Sequence, residues 1–492
     1  MDDITRKSYK ALKWSTITEF LAKIVTPLIN MILARILAPE AFGVLATITM
    51  IISFAEIFVE SGFQKFLIQH EFESKTREKQ FFSVAFWSNL FFSLFVWGVI
   101  IVLRNPIAEF AGSPQLGIPI AITGLTIPIY GIIGVQNSEL KKSLNFKALF
   151  YVRIISAFLP LIITVPLALF GFDYWALIIG NIAGIFVQSV VLFFLGGYRP
   201  TRYFSFADLR YMLKFGVWTL LDGTATWITA WVDVLLVSRH MSDYYLGLYK
   251  NTSTTVISLF AIITAALTPV LFSTLSKFQR NQEQFSNFFF RIQNILCLIL
   301  IPMSIGLFIY RDFGTYIMFG DQWSEASDIL GILSITLVIR LLTVSTYSDT
   351  YRAKGKFHIP LILQLIDIVI FIPTCILSVR EGFWTFVYAR SLIQLDLIIP
   401  NILLAFFLCG LSPIKALKNV VHPLIATSIM SIVAILLRTI NDTLIWNFLS
   451  IILCAIVYFV IVSLFKYERE TYITPVAKKV GRALGIVPKY EL

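Results

Sequence analysis

Fourteen long apolar segments, separated by short polar loops, constrain this chain more than any other feature. A helix needs about 20 mostly apolar residues to cross a membrane, and the segments meet that requirement. Their continuity favours helices over membrane β-strands, which would show about ten residues of strict alternation. A helix also satisfies its backbone hydrogen bonds within its own segment. The predicted spans cover residues 14–37, 42–61, 81–103, 117–136, 150–170, 174–196, 215–238, 244–274, 288–310, 326–348, 358–378, 383–408, 419–437 and 443–465.

The composition indicates that most of the chain lies in a membrane. Of the 492 residues, 57% are hydrophobic and only 14% are charged, whereas soluble domains carry about 25% charged residues. This excludes a soluble enzyme, a nucleic-acid-binding protein and a secreted disulfide scaffold, and it makes membrane lipids an expected partner. All four cysteines lie in apolar spans or, for Cys409, directly after one, which predicts buried, unreactive thiols.

Lysine and arginine residues predict the orientation. When the amino terminus is assigned to the cytoplasm, each cytoplasmic segment holds two to six basic residues and each outside loop holds at most one. This asymmetry follows the positive-inside rule and predicts a multi-pass protein with both termini in the cytoplasm. Topology thereby explains the net charge of +11, and no nucleic-acid partner is expected.

A sequence repeat indicates that the chain has two related halves. Three residues recur 204 positions later: Trp14, Arg35 and Gly43 as Trp218, Arg239 and Gly247. In transporters, repeated halves place the substrate path between them. The sequence therefore predicts an all-α membrane protein of about fourteen helices, with two pseudo-repeated six-helix bundles around a central cavity. The expected domains are an N-terminal bundle (1–196), a cytoplasmic linker (197–214), a C-terminal bundle (215–409), two additional helices (410–465) and a basic cytoplasmic tail (466–492).

Polar residues form a stripe along three of the apolar spans. Offsets of 0, 4, 7 and 11 residues fall within about 60° on a helix. A charge at the centre of a bilayer costs about 2.5–3.5 kcal/mol, so the charged members favour a water-filled cavity, whereas Thr and Ser are better explained by hydrogen bonds between helices. The stripes are Glu19, Lys23, Thr26 and Asn30; Thr49, Ser53, Glu56 and Glu60; and Asp222, Thr226, Thr229 and Asp233.

Motifs of catalysis and nucleotide binding are absent from the sequence. It contains no GxxxxGK[ST] loop, its four histidines are scattered, and no loop is long enough for a catalytic domain. We therefore expect no enzyme activity, no catalytic residue, no cofactor and no metal site. Energy for any transport would come from an ion gradient or from substrate mass action.

Stretches along nearly the whole chain carry a family resemblance. The longest, Leu33 to Gln69, places an arginine and a Pro-acidic pair before Phe-Gly and includes an acidic-x-Gly exit from its helix. The others are LGLYKNTSTTV (Leu246 to Val256), TPVLFSTLSKFQ (Thr268 to Gln279), MFGDQWSEASDIL (Met318 to Leu330) and YRAKGKFHIP (Tyr351 to Pro360). Together they resemble the polysaccharide-transporter branch of the MOP flippase superfamily, especially its colanic-acid-exporter-like members, the Wzx-type flippases of lipid-linked oligosaccharides.

The resemblance implies a flippase that moves undecaprenyl-diphosphate-linked oligosaccharide repeat units across the bacterial cytoplasmic membrane by alternating access. Its product would be exopolysaccharide, capsule or the O-antigen of lipopolysaccharide, and a polysaccharide polymerase and export machinery are expected partners. Cations pair with phosphate oxygens, and acids suit sugars or a coupling H⁺ or Na⁺. The predicted substrate-path residues are Lys23, Arg340, Lys250, Glu19, Asn30, Asp222 and Asp233, and the ion-coupling candidates are Glu56 and Asp367.

Three other functions stay open at this point. A lipid II flippase belongs to the same superfamily but would need a more cationic cavity. A small-molecule antiporter of the multidrug type would use the acids for cation exchange, although such relatives usually have twelve spans. A membrane-embedded sugar polymerase or ligase would carry a large outside loop, and this chain has none.

Overall fold

The computed structural model describes residues 3–59 and 63–474. Within its helices, the side chains of residues 3–13, 16, 19, 20, 215–218, 222, 266, 472 and 473 lie outside the described part. Two predicted substrate-path residues, Glu19 and Asp222, fall in this group, as does Trp218 of the repeat. Glu60 lies between the two described ranges.

The regular secondary structure is helical, and no β-strand occurs between residues 3 and 59 or between 63 and 474. The α-helices are α1 (Asp3–Ile36), α2 (Pro39–Val59), α3 (Phe63–Gln69), α4 (Lys75–Val102), α5 (Arg104–Phe110), α6 (Gly117–Thr123), α7 (Thr126–Lys142), α8 (Phe146–Leu169), α9 (Tyr174–Leu195), α10 (Phe206–His240), α11 (Asp243–Lys277), α12 (Gln282–Ile309), α13 (Arg311–Phe319), α14 (Ala326–Arg340), α15 (Thr346–Ala353), α16 (His358–Arg380), α17 (Phe383–Ile393), α18 (Ile398–Cys409), α19 (Pro413–Ile440), α20 (Leu444–Leu464) and α21 (Lys466–Glu468).

The spans in the structure are helical, as predicted, and their number is close to the predicted one. Among the described residues, twelve helical spans are long and apolar enough to cross a membrane, and a bent pair within α11 brings the number to thirteen. Each of them overlaps one predicted span. The remaining predicted span, 14–37, lies in α1, a continuous helix of 34 residues. The fold class, a polytopic all-α membrane protein, is confirmed, whereas the number fourteen is not.

Two of the spans that depart from regular α-helix show a local reason for it. In α11 the segments Asp243–Ala265 and Leu267–Lys277 meet at an angle of 43°, just before Pro269. A proline ring clashes with the carbonyl four residues earlier, which here is that of Ala265. The span from Ala326 to Ala353 passes through one π-helical turn, Leu341–Ser345, where the Thr346 hydroxyl donates to the Leu341 carbonyl at 2.8 Å.

The chain forms two compact units. The first comprises residues 1–265, 318–326 and 365–390. One face of α2 lies at its core, because Val44, Ile48, Ile52, Ala55 and Val59 follow helical spacing and are buried. They pack against side chains from the following helices: Ile100, Ala108, Leu116, Ile120, Ile127 and Ile178.

The second unit comprises residues 266–317, 327–364 and 391–492. Here α19 and α20 pack on each other and on α12, and the Tyr458 hydroxyl donates to the Leu298 carbonyl at 2.7 Å. The predicted domain boundaries follow the sequence repeat rather than these units and stay a prediction. Across both units the cysteines are buried, as expected: Cys297, Cys375, Cys409 and Cys454.

Candidate functional site

The two repeated glycines meet in the first unit. A Cβ atom added to Gly43 of α2 would lie 1.9 Å from the Asp243 carbonyl oxygen, and one added to Gly247 of α11 would lie 1.8 Å from the Pro39 carbonyl oxygen. Pro39 and Asp243 are separated by 204 residues, as the glycines are. The contact is therefore self-complementary, as at a two-fold axis. We call these four residues the glycine contact.

A loop from later in the chain packs beside the glycine contact. The Gln322 amide donates to the carbonyls of Ala34 at 2.8 Å and Leu37 at 2.9 Å. The Trp323 indole N–H also donates to Ala34 O at 2.8 Å, and its buried ring stands edge-on to Phe42 at 5.3 Å. The last carbonyls of a helix have no partner within the helix, so this loop caps the carboxyl end of α1. Two of the family-like stretches thus meet in space.

Replacing Trp323 with phenylalanine tests this cap. A phenylalanine ring is smaller than the buried indole, so the variant loses some packing as well as one donor to the Ala34 carbonyl, and a hydrogen bond of this kind contributes about 1 kcal/mol. We expect a melting temperature a few degrees lower for the purified protein, with little change for Trp384→Phe. An unchanged melting temperature for Trp323→Phe would show that the Trp323 hydrogen bond contributes nothing.

One member of the polar stripe of α2, Ser53, contacts α10. The Trp227 indole N–H donates to the Ser53 hydroxyl at 3.1 Å and to the Met50 carbonyl at 3.2 Å, and its ring lies 4.9 Å from that of Phe54. Ser53 in turn donates to Met50 O at 3.0 Å. These polar atoms therefore hold two helices together, as expected for Ser and Thr in such a stripe. The Trp227 N–H is occupied by this packing.

A buried charge pair lies among α10, α11 and α17. Arg390 Nε stands 3.2 Å from Asp233 Oδ2, and the Tyr249 hydroxyl donates to the same oxygen at 2.6 Å. The other carboxylate oxygen accepts the Val234 amide at 2.8 Å. Asp233 is 4% exposed. An ionised carboxylate buried without partners would be strongly destabilising, so the three donors explain how Asp233 is accommodated inside a membrane protein.

Aromatic rings surround the cations of this cluster. The Arg390 guanidinium lies 4.7 Å from the Phe371 ring centre. Lys250, which follows Tyr249 in α11, places its Nζ 4.0 Å from the Trp231 ring centre and 3.4 Å from the Ala230 carbonyl. Both contacts are typical of cations held against aromatic faces. Lys250 thus adds a second cation beside the Asp233–Arg390 pair.

The remaining predicted residues are spread over several helices. Lys23 and Asn30 are half-buried on α1, Glu56 is half-buried on α2, and Asp367 is buried on α16. Arg340 is half-buried at the end of α14, in the second unit. Of the predicted substrate-path residues, the structure brings Asp233 and Lys250 into one cluster. The substrate role of each residue stays a prediction, and the side chains of Glu19 and Asp222 lie outside the described residues.

The sequence did not identify Arg390 and Tyr249 as members of a site. A signal existed for Arg390, because an arginine within an apolar span requires a partner in the protein interior. Nothing comparable marks Tyr249. Among residues 3–59 and 63–474, no group of three or more His, Cys, Asp or Glu residues could hold a metal ion.

A second ion pair in the first unit joins the start of α4 to the start of α10. Arg77 of α4 contacts both carboxylate oxygens of Asp208 at 3.2 and 3.4 Å, and the Tyr203 hydroxyl donates to Asp208 Oδ2 at 3.1 Å. The Ser83 hydroxyl donates to the Thr201 carbonyl at 2.6 Å. These bonds fix the predicted linker, 197–214, against α4.

Comparisons with known proteins place the chain in a family. A family model described as a polysaccharide biosynthesis protein matches residues 32–328. The succinoglycan biosynthesis transport protein ExoT of Rhizobium meliloti (strain 1021) is 28% identical over 331 residues, covering 66% of this chain and 65% of ExoT. The lipopolysaccharide biosynthesis protein WzxC of Escherichia coli (strain K12) is 23% identical over 382 residues, covering 76% of each chain.

A solved structure has the same fold. The lipid II flippase MurJ, in an inward closed conformation, superposes with a TM-score of 0.77 at 17% identity, covering 93% of this chain and 99% of that chain. At this identity the likeness shows the fold alone. The family consists of membrane transport proteins rather than enzymes. Since the family match spans more than half of the sequence, the chain belongs to the polysaccharide biosynthesis protein family.

Proposed function

We propose that this protein flips undecaprenyl-diphosphate-linked oligosaccharide repeat units across the bacterial cytoplasmic membrane for the synthesis of a surface polysaccharide. The observation that carries the proposal is the family match, together with relatives named for lipopolysaccharide and succinoglycan biosynthesis. The positive-inside pattern supports an orientation with both termini in the cytoplasm. A polysaccharide polymerase and export machinery would act on the flipped product.

The substrate has opposite requirements at its two ends. The sugars and the diphosphate need a wet path lined with hydrogen-bonding groups, while the polyprenyl chain stays in lipid. We assign the diphosphate to Lys23, Lys250 and Arg340, because cations form charge-assisted hydrogen bonds with phosphate oxygens. Lys250 has the strongest support, since it lies beside an ion pair that is already neutral.

A coupling H⁺ or Na⁺ would need an acid that changes its occupancy during transport. Glu56 and Asp367 remain the candidates for this role. Asp233 is a weaker one, because Arg390 and Tyr249 already occupy its carboxylate. We propose that Asp233 instead holds α17 against α10 and α11, and that it contributes to the substrate path only by positioning Arg390.

A gene deletion tests the function directly. Lipid-linked sugars would be extracted from deletion and parent strains, with and without labelling of material accessible from outside spheroplasts. We expect loss of surface polysaccharide and a diphosphate-linked oligosaccharide that stays inaccessible to the label. The mass of the trapped lipid would identify the glycan, and a lipid II mass would favour the peptidoglycan alternative. Normal surface polysaccharide without a trapped intermediate, in a strain lacking redundant flippases, would contradict the proposal.

Removing the Lys250 charge tests its assigned role. Loss of a charge-assisted hydrogen bond costs about 1.5–3 kcal/mol, so we expect Lys250→Gln to lower the flipping rate by at least about tenfold at normal protein levels in the membrane. Lys250→Arg should retain most of the activity. The control is Lys277→Gln, an exposed lysine at the end of the same helix. Full complementation by Lys250→Gln would remove Lys250 from the substrate path.

A further inference from the structure

A basic groove of about 650 Å³ opens in the second unit, between α12, α19 and the segment that follows α20. We call it the basic groove. Among the described residues, none that lines it is acidic. Its polar lining comprises three cations and four neutral hydrogen-bonding side chains: Arg291, Lys415, Lys418, Asn287, Asn419, Tyr467 and Thr471.

The walls of the basic groove are held in place by partly buried polar contacts. Asn419 Nδ2 donates to the Phe290 carbonyl at 2.8 Å, which joins α19 to α12. His422 Nδ1 stands 2.8 Å from Glu468 Oε1, and the His422 ring stacks on Phe465 at 4.4 Å. Glu468 is 1% exposed. The segment that carries Tyr467 is thereby fixed against α19, so the fold itself holds the walls of the groove in position.

Helix energetics do not explain the two lysines. Lys415 lies in the first turn of α19, where its amide donates to the capping Ser412 hydroxyl at 3.4 Å. The macrodipole makes a cation unfavourable at this end of a helix, and Lys418 adds a like charge three residues on. Membrane topology requires basic residues on this side but does not require them to converge on one groove. An anion bound between them would offset both repulsions.

The surroundings favour a lipid over a soluble anion. Ile414 and Leu417 neighbour the two lysines on α19 and are 69% and 66% exposed. Exposed apolar side chains beside basic ones suit the boundary between headgroups and acyl chains. Basic pockets between membrane helices on the cytoplasmic side are suited to phosphate headgroups. A lipid phosphate in the groove could therefore bind the lysines while its chains contact the apolar side chains.

We infer that the basic groove binds the phosphate-bearing headgroup of a lipid in the cytoplasmic leaflet, with Lys415 and Lys418 pairing with the phosphate oxygens and Tyr467 and Asn287 donating hydrogen bonds. The cytoplasmic placement rests on the orientation proposed above. Two lipids share this chemistry: an anionic phospholipid, and the diphosphate-linked precursor before it enters the transport path. The groove binds either one through the same cations.

Lipid binding to the full-length protein tests this inference. The protein would be placed in nanodiscs of phosphatidylcholine, and binding of phosphatidylglycerol and of undecaprenyl diphosphate would be measured separately by native mass spectrometry. We expect Lys415→Gln/Lys418→Gln to weaken binding of one of these lipids about thirtyfold, since each lysine near an anionic headgroup contributes about 1 kcal/mol. The matched control is Lys75→Gln/Lys79→Gln, two exposed lysines near the start of α4.

The outcomes separate the two sources. Selective loss of phosphatidylglycerol binding assigns the groove to a phospholipid, and selective loss of undecaprenyl diphosphate binding assigns it to the precursor. Unchanged binding of both lipids, or an equal loss in the control pair, overturns the inference. Because the assay measures binding without transport, the site can be confirmed even where the deletion strain shows no trapped intermediate.

Discussion

Replacing Arg390 with leucine is expected to destabilise the protein by about 3–5 kcal/mol, the usual consequence of removing one partner from a buried ion pair. The substitution leaves the Asp233 carboxylate in the protein interior with only Tyr249 and a backbone amide as donors. We expect a much lower melting temperature for the purified protein in detergent and less protein in the membrane. Arg380→Leu, which removes an exposed arginine at the end of α16, should leave both nearly unchanged.

A double substitution separates the charge effect from packing. If the lost stability comes from the unpaired carboxylate, Asp233→Asn should restore part of it in the Arg390→Leu background, because the neutral amide is easier to bury. The two single effects should therefore be strongly non-additive. Additive losses would show that Arg390 acts through its packing on Phe371 rather than through Asp233. A stable, fully active Arg390→Leu protein would contradict the importance of the pair.

Valine at Gly43 or Gly247 is expected to abolish the glycine contact. Each added side chain would begin less than 2 Å from a backbone carbonyl, and backbone atoms cannot move aside as a flexible side chain can. Overpacking of this kind typically costs about 1–3 kcal/mol, and a backbone clash belongs at the upper end of that range. We expect Gly43→Val and Gly247→Val to lower the melting temperature to a similar extent, since they act on symmetry-related halves of one contact.

Two other glycines provide the controls. An added Cβ at Gly98 or Gly306 would find no atom within 4 Å, although both glycines lie in membrane spans. Their alanine variants should keep the stability of the parent protein, whereas Gly43→Ala and Gly247→Ala should already destabilise it. Measured by thermal unfolding and by flipping in cells, equal tolerance at all four glycines would show that the close approach does not persist in the membrane.

The repeat was only partly readable from the sequence. Three matching residues at a spacing of 204 indicated related segments, but spacing alone cannot say whether the copies touch. The structure shows that Gly43 and Gly247 each meet the residue four positions before the other. A glycine at a close backbone approach is a general requirement, whereas its partner depends on how two helices are placed. That placement is a property of the tertiary fold.

The candidate site was also only partly predictable from the sequence. The stripe that contains Asp233 followed from helical spacing, and Lys250 was recognisable as a charge in an apolar span. The sequence did not show that Asp233 pairs with Arg390, 157 residues later, or that the Trp227 N–H donates to Ser53 of α2. In both cases the partner lies on a distant helix, and its identity depends on rotation about the helix axis and on depth in the bundle.

The sequence by itself determined the class of the protein. Long apolar segments can cross a membrane only as helices or closed barrels, and the basic residues between them set an expected orientation, so these properties need no tertiary contact. Only the tertiary structure decided which charges are neutralised, which glycines meet and where Lys415 and Lys418 converge. The physical reason is that hydropathy is a local property of each segment, whereas the free energy of a buried charge depends on donors that the fold brings from elsewhere in the chain.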